Sequence, residues 1–361
     1  MSKKKLAGII AGCIIAVIVI AVKVAPTPTY TLSVSVNPPQ AGSVSPFGGE
    51  YVSGSQVILT ASPASGYTFD YWDGAASGSS NTVTITMNSS NTVTAHFKSE
   101  PTPESGNLTV YFIDVGQGDS ILLDFGDTEV LIDGGDKSPG IVSYIDDCVD
   151  GSLEVMVATH THADHMGGLI AVLNAFEVDE IWLNGDTSAY AFYSQFMSAV
   201  SAEGAQLHEA RRGDTIQAGN LTFDVLHPVN LGTDINNNSI VLSLSYGQVD
   251  FLFTGDAEKE AEASMLGEGV VPDVEILKVG HHGSRTASTI QFLQAAKPEY
   301  AVYMAGQDNG YGHPHQETII NLCEVGAEIY GTDMHGTIIV TTNGVTYNLL
   351  PANNVPPVAC P

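Results

Sequence analysis

Positively charged residues are scarce in this chain. Only 12 of its 361 residues are lysine or arginine, against 40 aspartates and glutamates, which gives a formal net charge of −28. Binding of long nucleic acids through many lysine–phosphate contacts depends on the number of phosphates neutralised, so this shortage argues against a basic binding groove. It also argues against docking on anionic lipid headgroups. The apolar content of 43% excludes a fully disordered acidic chain.

Cysteine is also rare. The four cysteines, which include no C-x-x-C pair, are Cys13, Cys148, Cys323 and Cys360. Neither a disulfide scaffold nor a cysteine zinc site is therefore predicted. Histidine is the informative residue instead, since ten of the eleven histidines lie after residue 150.

Residues 1–24 carry a membrane-targeting pattern. Three lysines precede an uncharged run of 17 residues from Leu6 to Val22, and a further lysine closes it. As a helix this run spans about 25 Å, and flanking lysines can reach the headgroups of a slightly thicker bilayer. We predict an uncleaved transmembrane anchor with residues 24–361 outside the cytoplasm, because lysine clusters stay cytoplasmic. A cleaved signal peptide and a lipoprotein signal around Cys13 remain alternatives, and both also lead out of the cytoplasm.

Residues 30–98 are predicted to form a small all-β domain. Runs such as TLSVSV (31–36) and NTVTITM (81–87) alternate with period two between Gly, Pro, Asn and Ser turns, as is typical of strands. The large apolar side chains expected in its core are Phe47, Tyr51, Tyr67, Phe69, Tyr71, Trp72 and Phe97. The stretches SGYTFDYWDG and MNSSNTVTAHF resemble the bacterial cell-surface β-repeat related to the internalin B-repeat, which implies a spacer or a contact module at the cell surface.

Residues 107–350 are predicted to be a second domain, which follows a proline-rich linker and precedes a tail over 351–361. Strand-like apolar runs alternate here with helix-like runs, which indicates a layered α/β domain. Candidate ligands are concentrated where strands end. The sequence THTHADH over 159–165 places three imidazoles and a carboxylate within six residues. This set of donors suits two neighbouring zinc, manganese or iron ions.

Two later motifs also place candidate ligands directly after apolar strands. These are TGD, which ends at Asp256, and GHHGS over 280–284. Together with FIDVGQGDS (112–120), LIDGG (131–135) and YGHPH (311–315), they resemble the metallo-β-lactamase fold and, within it, the soluble hydrolase domain of the ComEC competence family. The resemblance implies a four-layer αββα sandwich that binds its metals at one edge.

The resemblance also implies individual roles for the site residues. The site would hold two divalent ions, which are zinc by first choice and manganese or iron as alternatives. His160 and His162 would bind the first ion, Asp164, His165 and His281 would bind the second, and Asp256 would bridge the two. Asp133 would orient the loop that carries the histidines. The family's usual third imidazole on the first metal has no counterpart in TDINNNS (233–239), which contains Asn238 and Ser239. Asp234, an asparagine amide, His227 or water would complete that site.

The predicted reaction is attack on phosphorus by a hydroxide that bridges two metals, which requires no protein nucleophile. The residues expected to act on the substrate are Asp164, His282, His313 and His315, and Ser284 would donate to a phosphate oxygen. The predicted function is an exported metal-dependent hydrolase of phosphodiester bonds. The alternatives are a ComEC-like extracellular deoxyribonuclease linked to DNA uptake, and a surface binding or adhesion protein with a structural metal site.

Overall fold

The computed structural model describes residues 27–64, 66–99, 106–137 and 140–361. The chain divides into two units, Met1–Glu100 and Pro101–Pro361. The anchor predicted over residues 1–24 lies outside the described residues. Within the described ranges, no helix is long and apolar enough to cross a bilayer.

The N-terminal unit is all-β. Its strands are β1 Thr29–Asn37, β2 Gly42–Ser45, β3 Gly49–Val52, β4 Gln56–Pro63, β5 Tyr67–Gly74, β6 Thr82–Thr86 and β7 Asn91–Ser99. They form one sheet in the order β3-β1-β7-β5 and another in the order β2-β4-β6. The all-β prediction for this segment is therefore confirmed.

Alternation along the strands decides which side chains fill the core of this unit. Trp72 and Phe97 are buried, together with Leu59 and other aliphatic residues. Tyr71 is 44% exposed because it precedes Trp72 on the same strand, and successive strand residues face opposite sides of a sheet. Phe47 lies between strands and is 70% exposed. The prediction that these two aromatic residues belong to the core is wrong.

Two sheets form the centre of the C-terminal unit. The strands of the first sheet, in spatial order, are β13 Gln206–Glu209, β12 Val178–Leu183, β11 Leu153–Ala158, β10 Glu129–Ile132, β9 Ile121–Asp124, β8 Leu108–Phe112, β21 Ile338–Thr342 and β22 Tyr347–Pro351. Those of the second are β14 Thr215–Ala218, β15 Leu221–His227, β16 Val241–Tyr246, β17 Val249–Phe253, β18 Ile276–Lys278, β19 Tyr300–Tyr303 and β20 Glu328–Gly331.

Helices cover the outer face of each sheet. The first sheet packs against α1 Val142–Ile145, α2 Ala163–Met166, α3 Leu169–Val172 and α4 Ala191–Glu203. The second packs against α5 Lys259–Glu268, α6 Ile290–Ala296 and α7 Gln316–Val325. A further short helix, α8 Thr332–His335, follows β20.

A continuous apolar core joins the inner faces of the two sheets. Phe112 of the first sheet and Phe253 of the second are both buried, and their ring centroids lie 6.4 Å apart. Full burial of one such side chain contributes about 1.5–3 kcal/mol. The two sheets lie inside, the helices lie outside, and three separate apolar cores fill the spaces between these layers. The predicted αββα sandwich is therefore confirmed.

The C-terminal residues are fixed to the second unit by a disulfide bond. Cys323 in α7 pairs with Cys360, 37 positions later, a bond that the sequence analysis did not predict. The backbone N–H of Val358 donates to the carbonyl of Ile329 at 2.8 Å. Residues 351–361, predicted as a tail, are therefore attached at several points.

Replacing Cys360 with serine should lower the free energy of unfolding by about 3–4 kcal/mol, because a crosslink over this separation restricts the unfolded chain. The measurement is denaturant unfolding of both proteins under non-reducing conditions. Cys148→Ser is the matched control, since Cys148 is a free, half-buried cysteine. Equal stability of the wild type and the Cys360 variant would contradict the prediction.

Candidate metal centre

The candidate metal centre lies at one edge of the sandwich, where strands of both sheets end. The ends of β10 and β11, which are parallel neighbours, are followed by Asp133 and by the histidine-rich loop 159–165. The parallel strands β17 and β18 are followed by Asp256 and by the pair 281–282. Parallel strands deliver their carboxyl ends to one edge, so distant sequence motifs meet there.

Asp256 is the centre of the site. The Nε2 atoms of four histidines surround its Oδ2 atom, at 3.3 Å for His165 and His282 and at 3.7 Å for His160 and His281. The other oxygen, Oδ1, is buried and accepts no hydrogen bond from the described residues. A buried carboxylate ringed by nitrogen donors is costly to leave unpaired, and a divalent cation satisfies it.

Two groups of potential ligand atoms share Asp256. In each group the atoms lie within 4.8 Å of one another, and the groups are His160, His162 and Asp256, and Asp119, His165, Asp256 and His282. Bonds of about 2.0–2.2 Å from nitrogen and oxygen to zinc are compatible with this spacing. Asp164 adjoins the second group, since its Oδ2 lies 3.4 Å from the Nε2 of His282. The residues therefore fit two divalent ions.

The ring nitrogens that face away from the centre are anchored. The Nδ1–H of His165 donates to the carboxylate of Asp133 at 2.7 Å. The Nδ1–H of His281 donates to the carboxylate of Glu258 at 2.8 Å, and that of His282 donates to the carbonyl of Met304 at 2.9 Å. Such bonds fix the tautomer and leave the Nε2 lone pair on the metal side. The arrangement is typical of metal-ligating histidines.

Asp133 lies where the orienting role predicted for it requires. Its Oδ1 accepts from the backbone N–H of Thr159 at 2.8 Å, and its Oδ2 accepts from the Thr159 hydroxyl at 2.7 Å. With the bond from His165, one buried carboxylate thus holds both ends of the histidine loop. Asp133 itself has a φ of 58°, in the left-handed region that aspartate adopts more readily than most residues.

Burial and neighbouring charges shift the pKa values in this centre. Burial, reinforced by His165, holds the pKa of His160 well below its usual range, so this ring is neutral. Burial alone would raise the pKa of Asp256, but His282 and His165 lower it well below its usual value. Burial alone would lower the pKa of these two histidines, whereas Asp256 raises it well above normal. A metal ion bound here would displace protons from His165 and His282.

The second group of potential ligands contains the imidazole of His282, whereas the resemblance implied that of His281. His282, rather than His281, lies beside His165, with the two Nε2 atoms 3.3 Å apart. His281 is bonded to Glu258, and its side chain is 21% exposed. Both residues have positive φ, 47° and 55°, and this tight turn sends successive side chains in different directions. The geometry therefore supports His282 as the ligand where the resemblance implied His281.

None of the residues suggested as a third ligand of the first metal belongs to the group formed by His160, His162 and Asp256. Asp234 is exposed, and its Oδ1 accepts from the backbone N–H of Asn236 at 3.0 Å. The Nε2 of His227 donates to a backbone carbonyl at 2.8 Å. The Asn238 amide bonds to Gly232 and Asp186. Ser239 does contact the centre, because its hydroxyl accepts from the backbone N–H of Asp256 at 3.1 Å.

Two buried charges at the centre escaped the sequence analysis. Lys278, which is fully buried, pairs with Asp119 and donates to the carbonyl of Gly255 at 2.8 Å. Its Nζ lies 3.9 Å from Oδ1 of Asp256, so a cation balances the crowded carboxylates. In the sequence, these two charges are indicated only by a lysine within the apolar run VEILKV and by the aspartate of GQGDS.

Gly118 of the GQGDS motif has no room for a Cβ atom, which would collide with the carbonyl oxygen of Asp164.

A cavity of about 450 Å³ opens above the centre. It is lined by Gln117, His162, Ala163, Asp164, Tyr190, Phe192, Asp256, His281, His282, Tyr311 and His313. Burial, followed by the nearby His282 and His281, lowers the pKa of His313 to about 4, so this ring is neutral at pH 7.

His315 and Ser284, which were predicted to act on the substrate, are not part of the cavity lining. His315 accepts from the backbone N–H of Arg285 at 3.1 Å, and Ser284 bonds to Thr286 at 2.8 Å.

The αββα layers and the two groups of potential ligands at the strand ends are together typical of a metal-binding hydrolase. Residues 113–307 match the Metallo-beta-lactamase superfamily, and residues 32–101 match the Divergent InlB B-repeat domain. The chain belongs to the metallo-β-lactamase superfamily and carries an N-terminal B-repeat domain. Both resemblances inferred from the sequence are confirmed.

Bacterial competence proteins are similar to this chain. It is 33% identical over 189 residues to ComE operon protein 3 of Bacillus subtilis (strain 168), a match that covers 52% of this chain and 24% of that protein. It is 32% identical over 248 residues to Competence protein ComA of Neisseria gonorrhoeae, which covers 67% and 33%. The chain thus spans a quarter to a third of the length of these relatives.

The chain is also similar to a solved structure, the metallo-beta-lactamase fold protein YhfI from Bacillus subtilis. Sequence identity is 13% and the TM-score is 0.47, with 66% of this chain and 100% of that chain covered.

Proposed function

We propose that this chain is an exported phosphodiesterase that depends on two divalent metal ions. The observation that carries the proposal is the convergence of four imidazole Nε2 atoms on Oδ2 of Asp256, at the floor of an open cavity. His160 and His162 would hold the first ion, Asp164, His165 and His282 would hold the second, and Asp256 belongs to both groups. Zinc is the first choice, and manganese and iron are the alternatives.

The chemistry of the site fits hydrolysis. Two such ions, when bound, activate water and neutralise charge on phosphoryl oxygens. Among the described residues that line the cavity there is no serine, cysteine or lysine to act as a protein nucleophile. Asp133 and Glu258 fix the histidine rings, so no reorganisation is needed when substrate binds. Neutral His313 accepts rather than donates a proton at pH 7.

Two observations support export. A disulfide joins Cys323 to Cys360, and stable disulfides form mainly in oxidising compartments outside the cytoplasm. The B-repeat match suits a spacer at the cell surface. With the lysine-flanked apolar run over residues 1–24, they favour an anchored protein whose enzymatic unit faces outward.

A deoxyribonuclease is the second candidate. It is favoured by the similarity to Competence protein ComA and to ComE operon protein 3. The excess of acidic residues works against long DNA, because repulsion at low salt would slow its approach. If DNA is cleaved, we expect the rate to rise with salt or divalent ions.

The test is metal analysis of the full chain in detergent, followed by assays on bis-(nitrophenyl) phosphate, single- and double-stranded DNA and a lactam. We expect two metals per chain, hydrolysis of phosphodiesters, and loss of activity on chelation that is restored by added metal. One metal per chain would contradict the two-metal site. A fully loaded protein that hydrolyses no phosphodiester would reject the enzyme and favour the alternative of a surface binding protein with a structural metal site.

A further inference from the structure

Two exposed tyrosines line the cavity above the metal centre. Tyr190 is 66% exposed and Tyr311 is 68% exposed, although large aromatic side chains usually bury most of their surface. They come from different segments, since Tyr190 immediately precedes α4 and Tyr311 lies between β19 and α7. Both therefore offer a largely exposed aromatic side chain to whatever enters the cavity.

Each tyrosine is stacked on a second ring. Tyr190 lies parallel to Phe192, with centroids 6.0 Å apart and planes at 15°, and Tyr311 lies parallel to His313 at 5.7 Å and 18°. His313 in turn lies 5.5 Å from His281. A path of aromatic contacts thus leads from the exposed ring of Tyr311 toward the metal ligands.

Neighbouring side chains hold the Tyr311 loop in place. The side chain of Asn309 donates to the carbonyls of Gly306 and His313 at 2.9 and 2.6 Å, and it accepts from the backbone N–H of Tyr311 at 3.2 Å. The backbone of this loop is therefore held in place, which reduces the entropy cost of binding a ligand against it.

The described lining of the cavity contains no lysine or arginine. Arg285 is more than half exposed and pairs with Glu317, and Lys137 bonds to Gln195. A phosphate therefore meets no cationic lysine or arginine side chain in the described lining, while Tyr190, Phe192 and Tyr311 offer uncharged rings to the rest of the substrate. A nucleobase stacks on such an aromatic face, and this stacking does not require a cationic side chain.

We infer that Tyr190 and Tyr311 form a nucleobase-binding subsite beside the phosphodiester. The inference rests on the proposed function and specifies its substrate as a nucleotide with an unpaired base. Stacking replaces the cationic contacts that this acidic protein lacks. Because every base has a flat face, the subsite tolerates any sequence.

The test compares the binding of thymidine 5′-monophosphate with that of 2-deoxyribose 5-phosphate to the metal-loaded full chain by equilibrium dialysis. Both ligands have the same phosphate, and only the first has a base. We expect the wild type to bind the nucleotide about five- to a hundredfold more tightly, in line with the usual strength of base stacking. Tyr190→Ala and Tyr311→Ala should reduce this ratio, and Tyr190→Phe and Tyr311→Phe should retain it.

Tyr71→Ala is the matched control, since Tyr71 is an exposed tyrosine of the N-terminal unit. It should leave the ratio unchanged. Equal affinity of the wild type for both ligands, or an unchanged ratio in both alanine variants, would overturn the subsite. Hydrolysis without a base preference would reject the subsite alone. A base preference without phosphodiester hydrolysis would instead reject the proposed enzyme and leave the binding subsite standing.

Discussion

Asp256→Asn should abolish hydrolysis and weaken metal binding by at least about a hundredfold. Four imidazole nitrogens face one oxygen of this carboxylate, and Lys278 lies 3.9 Å from the other. Removing one partner of such a buried charge cluster typically costs about 3–5 kcal/mol. An asparagine keeps the shape of the side chain but lacks the negative charge that both ions would share.

The measurement is the metal content per chain after dialysis, together with the rate of phosphodiester hydrolysis. Circular dichroism separates loss of metal from loss of fold. Asp224→Asn is the matched control, because Asp224 is an exposed residue of β15, and it should behave as the wild type. Retention of two metals by the Asp256 variant would show that this residue does not bridge them.

His282→Ala should weaken metal binding by about a hundredfold or more, and His281→Ala by about tenfold. His282 is buried, and its Nε2 lies within 3.4 Å of His165, Asp164 and Asp256. His281 is partly exposed and lies farther from Asp256, at 3.7 Å. A residue that only supports the ligands typically changes metal affinity by about 10–100-fold.

These neighbouring histidines form their own controlled comparison, because both follow the same strand and occupy the same turn. Titration of each metal-free variant with Zn²⁺ or Mn²⁺ gives the two affinities directly. The reverse order of effects would return His281 to the second metal, as the sequence resemblance implied.

Much of the metal centre could be predicted from the sequence because its ligands are local. His160, His162, Asp164 and His165 occupy one loop of six residues, so their spacing alone indicated a metal site. Asp256 was predictable from its position directly after an apolar strand only in combination with this histidine cluster, because an isolated aspartate there is more often a turn residue. Parallel neighbours bring such strand ends to the same edge.

The remaining features depend on contacts between distant segments. Asp119 and Lys278 lie 159 positions apart in sequence, and only the pairing of sheets and loops joins them. The same holds for Cys323 and Cys360, whose sequence context carries no recognisable pairing signal. Tyr190 belongs to no recognised motif, and in the motif YGHPH the histidines rather than Tyr311 indicated a role.

The sequence by itself therefore determined the family, the two-domain organisation, the αββα sandwich and most of the candidate metal ligands, since each of these is encoded in short contiguous motifs. Only the tertiary structure placed His282 rather than His281 beside His165 and revealed the buried lysine and the exposed rings around the cavity. The physical reason is that side-chain direction in a left-handed turn, and the pairing of buried charges, depend on packing partners that are far away in the chain.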